Sequence, residues 1–330
     1  MNSSELEKYF SNFENLTVLV IGDVMIDAYY WGKVDRISPE APVPVVHVQK
    51  KENRLGGAAN VALNVKSLGA KAIICSVVGD GSKGDIFRKT SKESGFTTEG
   101  IIDSVNRPTT VKTRVIAQGH HIVRIDDEIT TPLSSTDERN LLDCIQQIIQ
   151  RKKVDVIIFE DYNKGVLTPK VISTVLGWAI EHNIPTAVDP KRDNFFEYTN
   201  CTLFKPNLKE LKEGLGVEFD KNDNDALKGA MQTLSEKMKC DTTMVTLSEL
   251  GVMTLNSGEF THEPAHKREI NDVSGAGDTV ISVAALLLAQ KMNPADCSRL
   301  ANLAGGLVCE KVGVVPIDKE KLLEEAKKHL

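Results

Sequence analysis

The sequence predicts an α/β fold with a mostly parallel central sheet, helices on both faces of that sheet, and a small additional β sheet. Three observations support this prediction. A continuous apolar run covers residues 16–21, similar runs recur along the chain with helical patterns between them, and two segments lack any helical periodicity. Alternation of strands and helices is typical of parallel sheets, because each parallel connection needs a crossover.

The first predicted strand, residues 16–21, ends in Gly22 and Asp23. A strand that is apolar at every position is typical of a parallel strand buried on both faces. An open α/β sheet binds its ligands at the carboxyl ends of such strands, so Asp23 and the nearby Asp27 are candidate site residues. Further strands are predicted at 71–78, 154–159, 185–188, 202–204 and 242–247, and helices at 60–68, 134–151 and 169–182.

Two segments, 28–49 and 109–126, interrupt the alternation of strands and helices. Both are predicted to be extended and to pair into a small sheet that covers the mouth of the larger one, as a lid. No Gly/Ser linker, low-complexity tract or repeat divides the chain, so we predict a single domain over residues 1–330 with the lid inserted in it. The amphipathic segment 319–330 is predicted to form a final helix on the outside.

The composition excludes several classes of function. The 330 residues include 41% hydrophobic residues and carry a net charge of −6, with a pI near 5.7. No Lys/Arg cluster is interleaved with aromatic residues, so nucleic acid is not an expected partner. No apolar stretch is long enough to cross a bilayer. The six cysteines lack a C-x-x-C pattern, which predicts a reducing, cytoplasmic location, and the seven histidines show no metal-binding spacing.

The segment 271–279 carries the strongest chemical signal. Gly275, Ala276 and Gly277 precede an apolar helix, and Asp278 lies at the junction. The free N–H groups of the first helical turn and the helix dipole favour an anion there. A carboxylate beside an anion site is costly, and it is expected where it takes a proton from an attacking hydroxyl. Asp is also common in first helical turns, so a capping role remains open.

Two further segments have both functional and structural interpretations. Gly56, Gly57 and Asn60 begin a predicted helix, where small residues permit close approach and an amide can bind a polyhydroxylated ligand. Asn207 and Glu210 lie one helical turn apart and can position water around a hydrated magnesium ion. The structural alternatives are a tightly packed helix start for the first segment and an ordinary helix cap for the second.

The segment 79–84 favours a different function. Its sequence matches G-x-G-x-x-G, it follows a predicted strand, and Asp103 lies about 20 residues further on, as in dinucleotide-binding sites. Asp80 and Lys83, however, occupy the loop where backbone should meet a pyrophosphate, and the pattern does not explain Asp278. An NAD-dependent enzyme therefore stays an alternative hypothesis.

Three motifs together resemble those of the ribokinase-like, or phosphofructokinase-B, sugar kinases: Gly56-Gly57-x-x-Asn60, Asn207-x-x-Glu210, and Asp272-x-x-Gly275-Ala276-Gly277-Asp278. The resemblance covers almost the whole chain. The strings at 22–27, 36–45, 161–165, 189–191 and 205–208 are similar to those of family members that act on D-glycero-β-D-manno-heptose 7-phosphate. The resemblance implies a ribokinase-like three-layer αβα sandwich whose β lid often forms a dimer interface.

The resemblance also implies roles for individual residues. Asp278 would be the general base for the anomeric hydroxyl, and the amides of Gly275, Ala276 and Gly277 would form an anion hole. Ser248 departs from the family pattern, which has glycine at that position. The sugar would be held by Asp27, Gly56, Gly57 and Asn60. ATP and magnesium would be held by Asn207, Glu210, Thr246, Ser248, Gly251 and Asn302, with Glu210 acting on the metal through water.

The phosphate that the sugar already carries needs a cationic partner. The sequence offers several candidates without choosing among them. They are Lys112, Arg114, Arg124, Lys164 and Lys191.

We therefore predict an enzyme that uses ATP and Mg²⁺ to phosphorylate heptose 7-phosphate at the anomeric hydroxyl, in the ADP-heptose route to lipopolysaccharide. The need for a monovalent cation stays open. Many such kinases are fused to an adenylyltransferase with an H-x-G-H string, which this sequence lacks, so a stand-alone cytoplasmic kinase that dimerises through the lid is expected. The alternatives are another sugar or sugar-phosphate kinase of the family, and a non-catalytic sugar-phosphate sensor, which would not need Asp278.

Overall fold

A computed structural model describes residues 2–266 and 268–329 of the chain. In these residues the strands are β1 (Thr17–Gly22), β2 (Val24–Ile37), β3 (Pro44–Gly57), β4 (Lys71–Gly79), β5 (Ile101–Ser104), β6 (Val111–Ala117), β7 (His120–Asp127), β8 (Val156–Glu160), β9 (Thr186–Asp189), β10 (Leu203–Phe204), β11 (Thr242–Thr246), β12 (Val252–Asn256) and β13 (Glu259–Glu263). They form two sheets, of nine and of four strands.

The nine-stranded sheet has the order β13-β12-β11-β10-β9-β8-β1-β4-β5. The ladders of β12 with β11 and β13 are antiparallel, and the other ladders of this sheet are parallel. The prediction of a mostly parallel central sheet is therefore confirmed. The edge formed by β12 and β13 is a hairpin that the apolar runs of the sequence did not reveal.

Helices cover both faces of the large sheet. They are α1 (Ser3–Asn12), α2 (Ala58–Ser67), α3 (Ser82–Glu93), α4 (Ser135–Arg151), α5 (Pro169–Glu181), α6 (Leu208–Leu215), α7 (Asn224–Met238), α8 (Ala276–Ala289), α9 (Pro294–Val308) and α10 (Lys319–His329). The predicted helices at 60–68, 134–151 and 169–182 agree with α2, α4 and α5 to within two residues at each end, and the final helix is present as α10, with Leu330 outside the described residues.

The hydrophobic core has two halves, one on each face of the sheet. Alternate residues of β1 show this, because Val18 and Val20 belong to one half and Leu19 and Ile21 to the other. Helices α1, α2, α3, α8, α9 and α10 pack in the first half, and α4 to α7 pack in the second. This is the predicted three-layer αβα arrangement. Helix α8 is buried from Asp278 to Leu287, as its apolar sequence requires.

The four-stranded sheet, which we call the lid sheet, has the order β3-β2-β6-β7. Strand β2 is antiparallel to β3 and parallel to β6, and β6 is antiparallel to β7. The predicted segments 28–49 and 109–126 do pair into this sheet. The strands extend beyond the first predicted segment at both ends, because β2 starts at Val24, one residue after β1, and β3 continues to Gly57, directly before α2. The lid sheet is therefore connected to the large sheet at the carboxyl end of β1.

No helix among residues 2–266 and 268–329 is long and apolar enough to span a membrane.

Candidate active site

Asp278 lies in the first turn of α8 and is only 8% exposed. Its Oδ2 accepts a hydrogen bond of 2.6 Å from Nδ2 of Asn60, and its Oδ1 accepts one of 3.0 Å from the hydroxyl of Tyr162. Asn60 stands at the start of α2, so the first and last sequence motifs meet here although 218 residues separate them. The carboxylate is thus held by side chains from two other elements rather than serving as a cap of its own helix.

Burial raises the pKa of Asp278 above its usual value, and the nearby carboxylate of Asp189 adds to this effect. The hydrogen bonds from Asn60 and Tyr162 and the charge of Lys205 lower the pKa of Asp278 and oppose that rise. A buried carboxylate with a raised pKa that still has donors to orient it is suited to accept a proton. The Oδ1 of Asn60 is buried without a hydrogen-bond partner in the described residues, so an acceptor is available beside this base.

Gly275, Ala276 and Gly277 form the amino end of α8, as predicted. Gly275 precedes the helix with φ of +80°, a left-handed conformation that favours glycine. A Cβ on Gly277 would lie 3.7 Å from Oδ2 of Asp189 and 3.8 Å from Nζ of Lys205, so the first helical turn faces this buried ion pair. The N–H of Ala276 donates to the backbone oxygen of Val273 at 3.3 Å, so the N–H groups of Gly275 and Gly277, the helix dipole and Lys205 are what suit this end of α8 to an anion.

Three charged residues that the sequence prediction missed lie at neighbouring strand ends. Glu160 ends β8, Asp189 ends β9, and Lys205 follows β10 directly. Lys205 and Asp189 form an ion pair of 2.8 Å in which both side chains are buried. These residues are far apart in the sequence, but each follows an apolar run of the large sheet, and that position was the available signal.

Glu160 is fully buried next to the Asp189 carboxylate. Burial raises the pKa of Glu160 well above its usual range, and the charges of Asp189 and Asp278 contribute to the rise. Its Oε2 has no hydrogen-bond partner in the described part of the chain. Gly22 is required beside it, because a Cβ at that position would lie 1.9 Å from the backbone oxygen of Glu160.

Tyr162 is positioned by the buried carboxylate of Asp23. The backbone N–H groups of Tyr162 and Lys164 donate to Oδ2 of Asp23, and that of Val166 donates to Oδ1, at 2.9–3.1 Å. Burial raises the pKa of Asp23 to about 6, with the charge of Asp161 adding to the rise. The candidate Asp23 therefore acts by folding the loop that carries the partner of Asp278.

Asp27 and the glycine pair lie where the lid sheet meets the large sheet. The Asp27 carboxylate forms an ion pair with Arg114 from β6. A Cβ on Gly56 would lie 2.3 Å from Oδ2 of Asp27, so glycine leaves room for this side chain. Gly57 has φ of +60°, and a Cβ there would lie 2.3 Å from the backbone oxygen of Asp23. The two glycines thus permit the tight passage from β3 into α2.

Lys112 and Lys164 share one carboxylate. Their Nζ atoms lie 3.8 Å and 2.7 Å from the Glu128 carboxylate, and all three side chains are at most one-fifth exposed. Each of these two candidate cations therefore has an anionic partner within the protein.

Asn207 and Glu210 form a capping box at the start of α6. Oδ1 of Asn207 accepts from the N–H of Glu210 at 2.9 Å, and Oε2 of Glu210 accepts from the N–H of Asn207 at 2.8 Å. The other oxygen of Glu210 accepts from Lys191 at 2.5 Å. The structural interpretation of this motif is confirmed, and it leaves both oxygens of Glu210 engaged by protein donors.

The remaining nucleotide-site candidates lie near β11, β12 and α9. Thr246 is bridged to Asn207, and Ser248 and Asn207 line one surface hollow of about 620 Å³. Ser248 has φ of +54°, a conformation that explains why glycine suits this position. Gly251 and Asn302 both contact the segment 263–264: a Cβ on Gly251 would lie 2.1 Å from the backbone oxygen of Glu263, and Asn302 donates to that oxygen and to that of Pro264.

The G-x-G-x-x-G segment has a structural explanation. It joins β4 to α3, but a Cβ on Gly79 would lie 2.6 Å from the backbone oxygen of Arg107, and one on Gly84 would lie 2.0 Å from that of Gly79. Thr109 also accepts a hydrogen bond from the N–H of Gly79. Segment 107–109 fills the space beside this loop, so Gly79 and Gly84 serve packing, and the structure gives the dinucleotide hypothesis no support.

Residues 2–266 and 268–329 contain no group of three His, Cys, Asp or Glu side chains that could hold a metal ion. A magnesium ion that keeps most of its waters and binds to phosphates needs fewer protein ligands than such a group supplies. The residues present are therefore compatible with a metal bound mainly by a nucleotide.

Comparisons with known proteins give relatives of this chain. The bifunctional protein HldE of Helicobacter pylori strain J99 is 43% identical over 296 residues, which are 90% of this chain and 63% of that protein. The bifunctional protein HldE of Syntrophotalea carbinolica is 38% identical over 330 residues, 100% of this chain and 66% of that protein. The chain thus spans less than two thirds of the length of these relatives.

Solved structures share the fold. Phosphofructokinase-2 from Escherichia coli in complex with potassium superposes with a TM-score of 0.77 at 18% identity, covering 95% of this chain and 98% of that one. Arabidopsis thaliana ribokinase complexed with ribose and ATP gives a TM-score of 0.70 at 16% identity, covering 94% and 98%. The model of the pfkB family carbohydrate kinases matches residues 15–321. With the ribokinase-like fold and the buried Asp278 at the amino end of α8, this match shows that the chain belongs to the pfkB family of carbohydrate kinases.

Proposed function

We propose that this sugar kinase transfers a phosphoryl group from ATP to the anomeric hydroxyl of D-glycero-β-D-manno-heptose 7-phosphate, giving the 1,7-bisphosphate for ADP-heptose biosynthesis. The observation that carries the chemistry is the placement of Asp278, a buried carboxylate between Asn60 and Tyr162 at the amino end of α8. The substrate rests on the family-specific strings of the sequence and on the match with bifunctional HldE proteins along part of their length.

In this proposal Asp278 takes the proton of the attacking hydroxyl. Nδ2 of Asn60 holds the carboxylate, and its unpartnered Oδ1 is available to a second sugar hydroxyl, while Asp27, Gly56 and Gly57 form the rest of the sugar site. The amides of Gly275, Ala276 and Gly277, with Lys205 beside them, stabilise the charge of the group in transfer. Bound ATP supplies the phosphoryl group, and Mg²⁺ offsets the charge of its phosphates.

Asn207, Thr246, Ser248, Gly251 and Asn302 are proposed to hold the nucleotide. The hollow that Asn207 and Ser248 line supports this assignment. Glu210 is proposed to reach the metal through water, and this requires release of one of its protein donors. A monovalent cation is part of the proposal because a protein of the same fold was solved with potassium.

We further propose one cytoplasmic kinase domain that forms a homodimer through the lid sheet. Val123 and Ile125 on β7 support this assembly, because their side chains are 49% and 53% exposed on the same face of the lid sheet. Burying such apolar surface against a second copy would be favourable.

The test is ADP release by the purified protein with Mg-ATP and a panel of heptose 7-phosphate, ribose, fructose and fructose 6-phosphate. We expect turnover confined to the heptose phosphate and at least about a hundredfold slower in Asp278→Asn. ADP release with another sugar would contradict the proposed substrate but support the proposed chemistry. No ADP release with any sugar would favour a non-catalytic sensor.

A further inference from the structure

One face of the lid sheet carries two arginines directed at the same aromatic ring. In the strand register Asp27 is opposite Arg54 of β3, and Tyr29 is opposite Arg114 of β6. Residues opposite each other share a face, as do residues two apart on one strand, so all four side chains lie on one face. The guanidinium carbon lies 4.7 Å from the Tyr29 ring centroid in Arg54 and 5.4 Å in Arg114.

Both guanidinium groups retain donors that the protein does not use. Arg54 donates through Nε to Glu52 at 2.6 Å, and Arg114 donates through Nη1 to Asp27. In the part of the chain that the structure describes, the other nitrogens of these two groups have no hydrogen-bond acceptor. Stacking over the Tyr29 ring holds the groups in place while those donors stay free.

The neighbouring cations are placed differently. Lys164 donates to Glu128 at 2.7 Å, and Lys112 lies 3.8 Å from the same carboxylate. Arg124 donates through two nitrogens to Asp126 at 2.9 Å and 3.0 Å, and Lys191 donates to Glu210 at 2.5 Å. Among these described cations, Arg54 and Arg114 are the pair that stack on the same ring, that of Tyr29, and both keep unused N–H donors.

Arg54 also lies near the amino end of α8. A Cβ on Gly313 would lie 3.7 Å from Nη1 of Arg54, and a Cβ on Gly275 would lie 3.1 Å from Cγ1 of Val314, the residue after Gly313. The arginine therefore lies across the segment 313–314 from the helix end that carries Asp278. A ligand held at Asp278 by one end can present its other end to the arginines.

We propose that Arg54 and Arg114 form a clamp for the phosphate that the sugar substrate already carries, with Tyr29 as the support on which both groups stack. Guanidinium groups present planar pairs of donors that match phosphate oxygens, and an arginine pair can engage one phosphate from two sides. This inference rests on the proposed function, because it assigns the phosphorylated end of that substrate. It adds Arg54 to the predicted phosphate-binding residues. Among the candidates from the sequence it selects Arg114 rather than Lys112 or Lys164, the two lysines beside Glu128.

The primary variant is Arg54→Gln, because Arg54 is 38% exposed and its loss leaves no buried carboxylate unpaired. Arg88→Gln is the control, since Arg88 also donates through Nε to a carboxylate, that of Asp103 at 3.1 Å, and through Nη2 to the backbone oxygen of Ile101, but it lies on α3 and outside the lid sheet. Steady-state kinetics would compare heptose 7-phosphate with unphosphorylated heptose. We expect Arg54→Gln to reduce the preference for the phosphorylated sugar about ten- to a hundredfold, the size of a lost charged hydrogen-bonding group, mainly through KM. Arg54→Lys should recover part of it, and Arg88→Gln should leave it unchanged.

Calorimetric titration with heptose 7-phosphate in the absence of ATP tests the clamp without turnover, and titration with inorganic phosphate tests whether the site takes any free phosphate. We expect weaker binding of the heptose phosphate by Arg54→Gln. Equal affinity in the wild type and Arg54→Gln, or no binding by either, would overturn the clamp. Equal use of phosphorylated and unphosphorylated heptose by the wild type would instead overturn the proposed substrate, and the two failures are thereby distinguished.

Discussion

Replacement of Asp278 by Asn should separate catalysis from folding. The amide oxygen of the new side chain can accept from Tyr162, and its NH₂ group can donate to Asn60 once that amide rotates to present its unpartnered Oδ1. Burial raises the pKa of Asp278, so the charged carboxylate lowers the stability of the folded protein near neutral pH. We therefore expect Asp278→Asn to unfold with the same free energy as the wild type or a higher one.

The catalytic loss should be large. A positioned general base contributes about 10² to 10⁴ in rate, or about 2.7–5.4 kcal/mol of activation free energy at 1.36 kcal/mol for each factor of ten. Since the amide keeps the shape of the carboxylate, KM should change little while kcat falls by that factor. ADP release at saturating Mg-ATP measures kcat, and urea unfolding measures stability.

Asp296→Asn is the matched control, because Asp296 occupies the first turn of α9 as Asp278 does that of α8, and it contacts Asn293 rather than the cleft. It should leave kcat unchanged. Retention of more than about a tenth of kcat by Asp278→Asn would refute the role of the base. A loss of about 1 kcal/mol or more of stability, the size of a helix cap, would instead indicate the capping role.

Three further predictions concern the groups around this base. Removing the hydroxyl that lowers the pKa of Asp278 should, in Tyr162→Phe, move the acid limb of kcat/KM to higher pH; an unchanged or lower limb would contradict the hydrogen bond. Lys205→Met should lower the free energy of unfolding by about 3–5 kcal/mol, because Asp189 is left buried without its nearest cation, and adding Asp189→Asn should recover most of that loss; equal stabilities in urea would argue against the pair. Burial raises the pKa of Asp23 from 3.8 to about 6, so its contribution to stability is complete below pH 3.8 and is lost as pH rises through 6. The unfolding free energy of the wild type relative to Asp23→Asn should thus fall by about 2 kcal/mol between pH 4 and 7, since each pKa unit is worth about 1.36 kcal/mol and part of the change lies below pH 4; a flat difference would refute the raised pKa.

The parts of the fold that follow from local pattern were predictable. Strand β1 is apolar and buried from Val18 onward, and α8 is too apolar to lie on a surface, so the apolar pattern alone identifies both. The hairpin of β12 and β13 was not predicted, because β13 is short, polar and partly exposed, and only its pairing with β12 makes it a strand.

Some residues of the candidate site could be predicted from local sequence, and others could not. Asp278 and Asn60 were identifiable because each lies in a motif of small residues at a helix start. Tyr162, Glu160 and Lys205 were not identified as site residues, because their relation to Asp278 depends on which strands are neighbours in the large sheet. Local sequence also could not distinguish a dinucleotide loop at 79–84 from a packing contact, since the deciding segment, 107–109, lies more than 20 residues away.

The position of the new phosphate on the product tests the central claim most directly. Heptose 7-phosphate, Mg-ATP and the purified protein would be incubated, and the product examined by ³¹P NMR with correlation to the sugar protons. We predict one new sugar-phosphate resonance coupled to the anomeric proton, formed in step with ADP and at least about a hundredfold more slowly with Asp278→Asn. A new phosphate on any other carbon, or ADP formed without a new sugar phosphate, would contradict the assignment of Asp278 as the base for the anomeric hydroxyl.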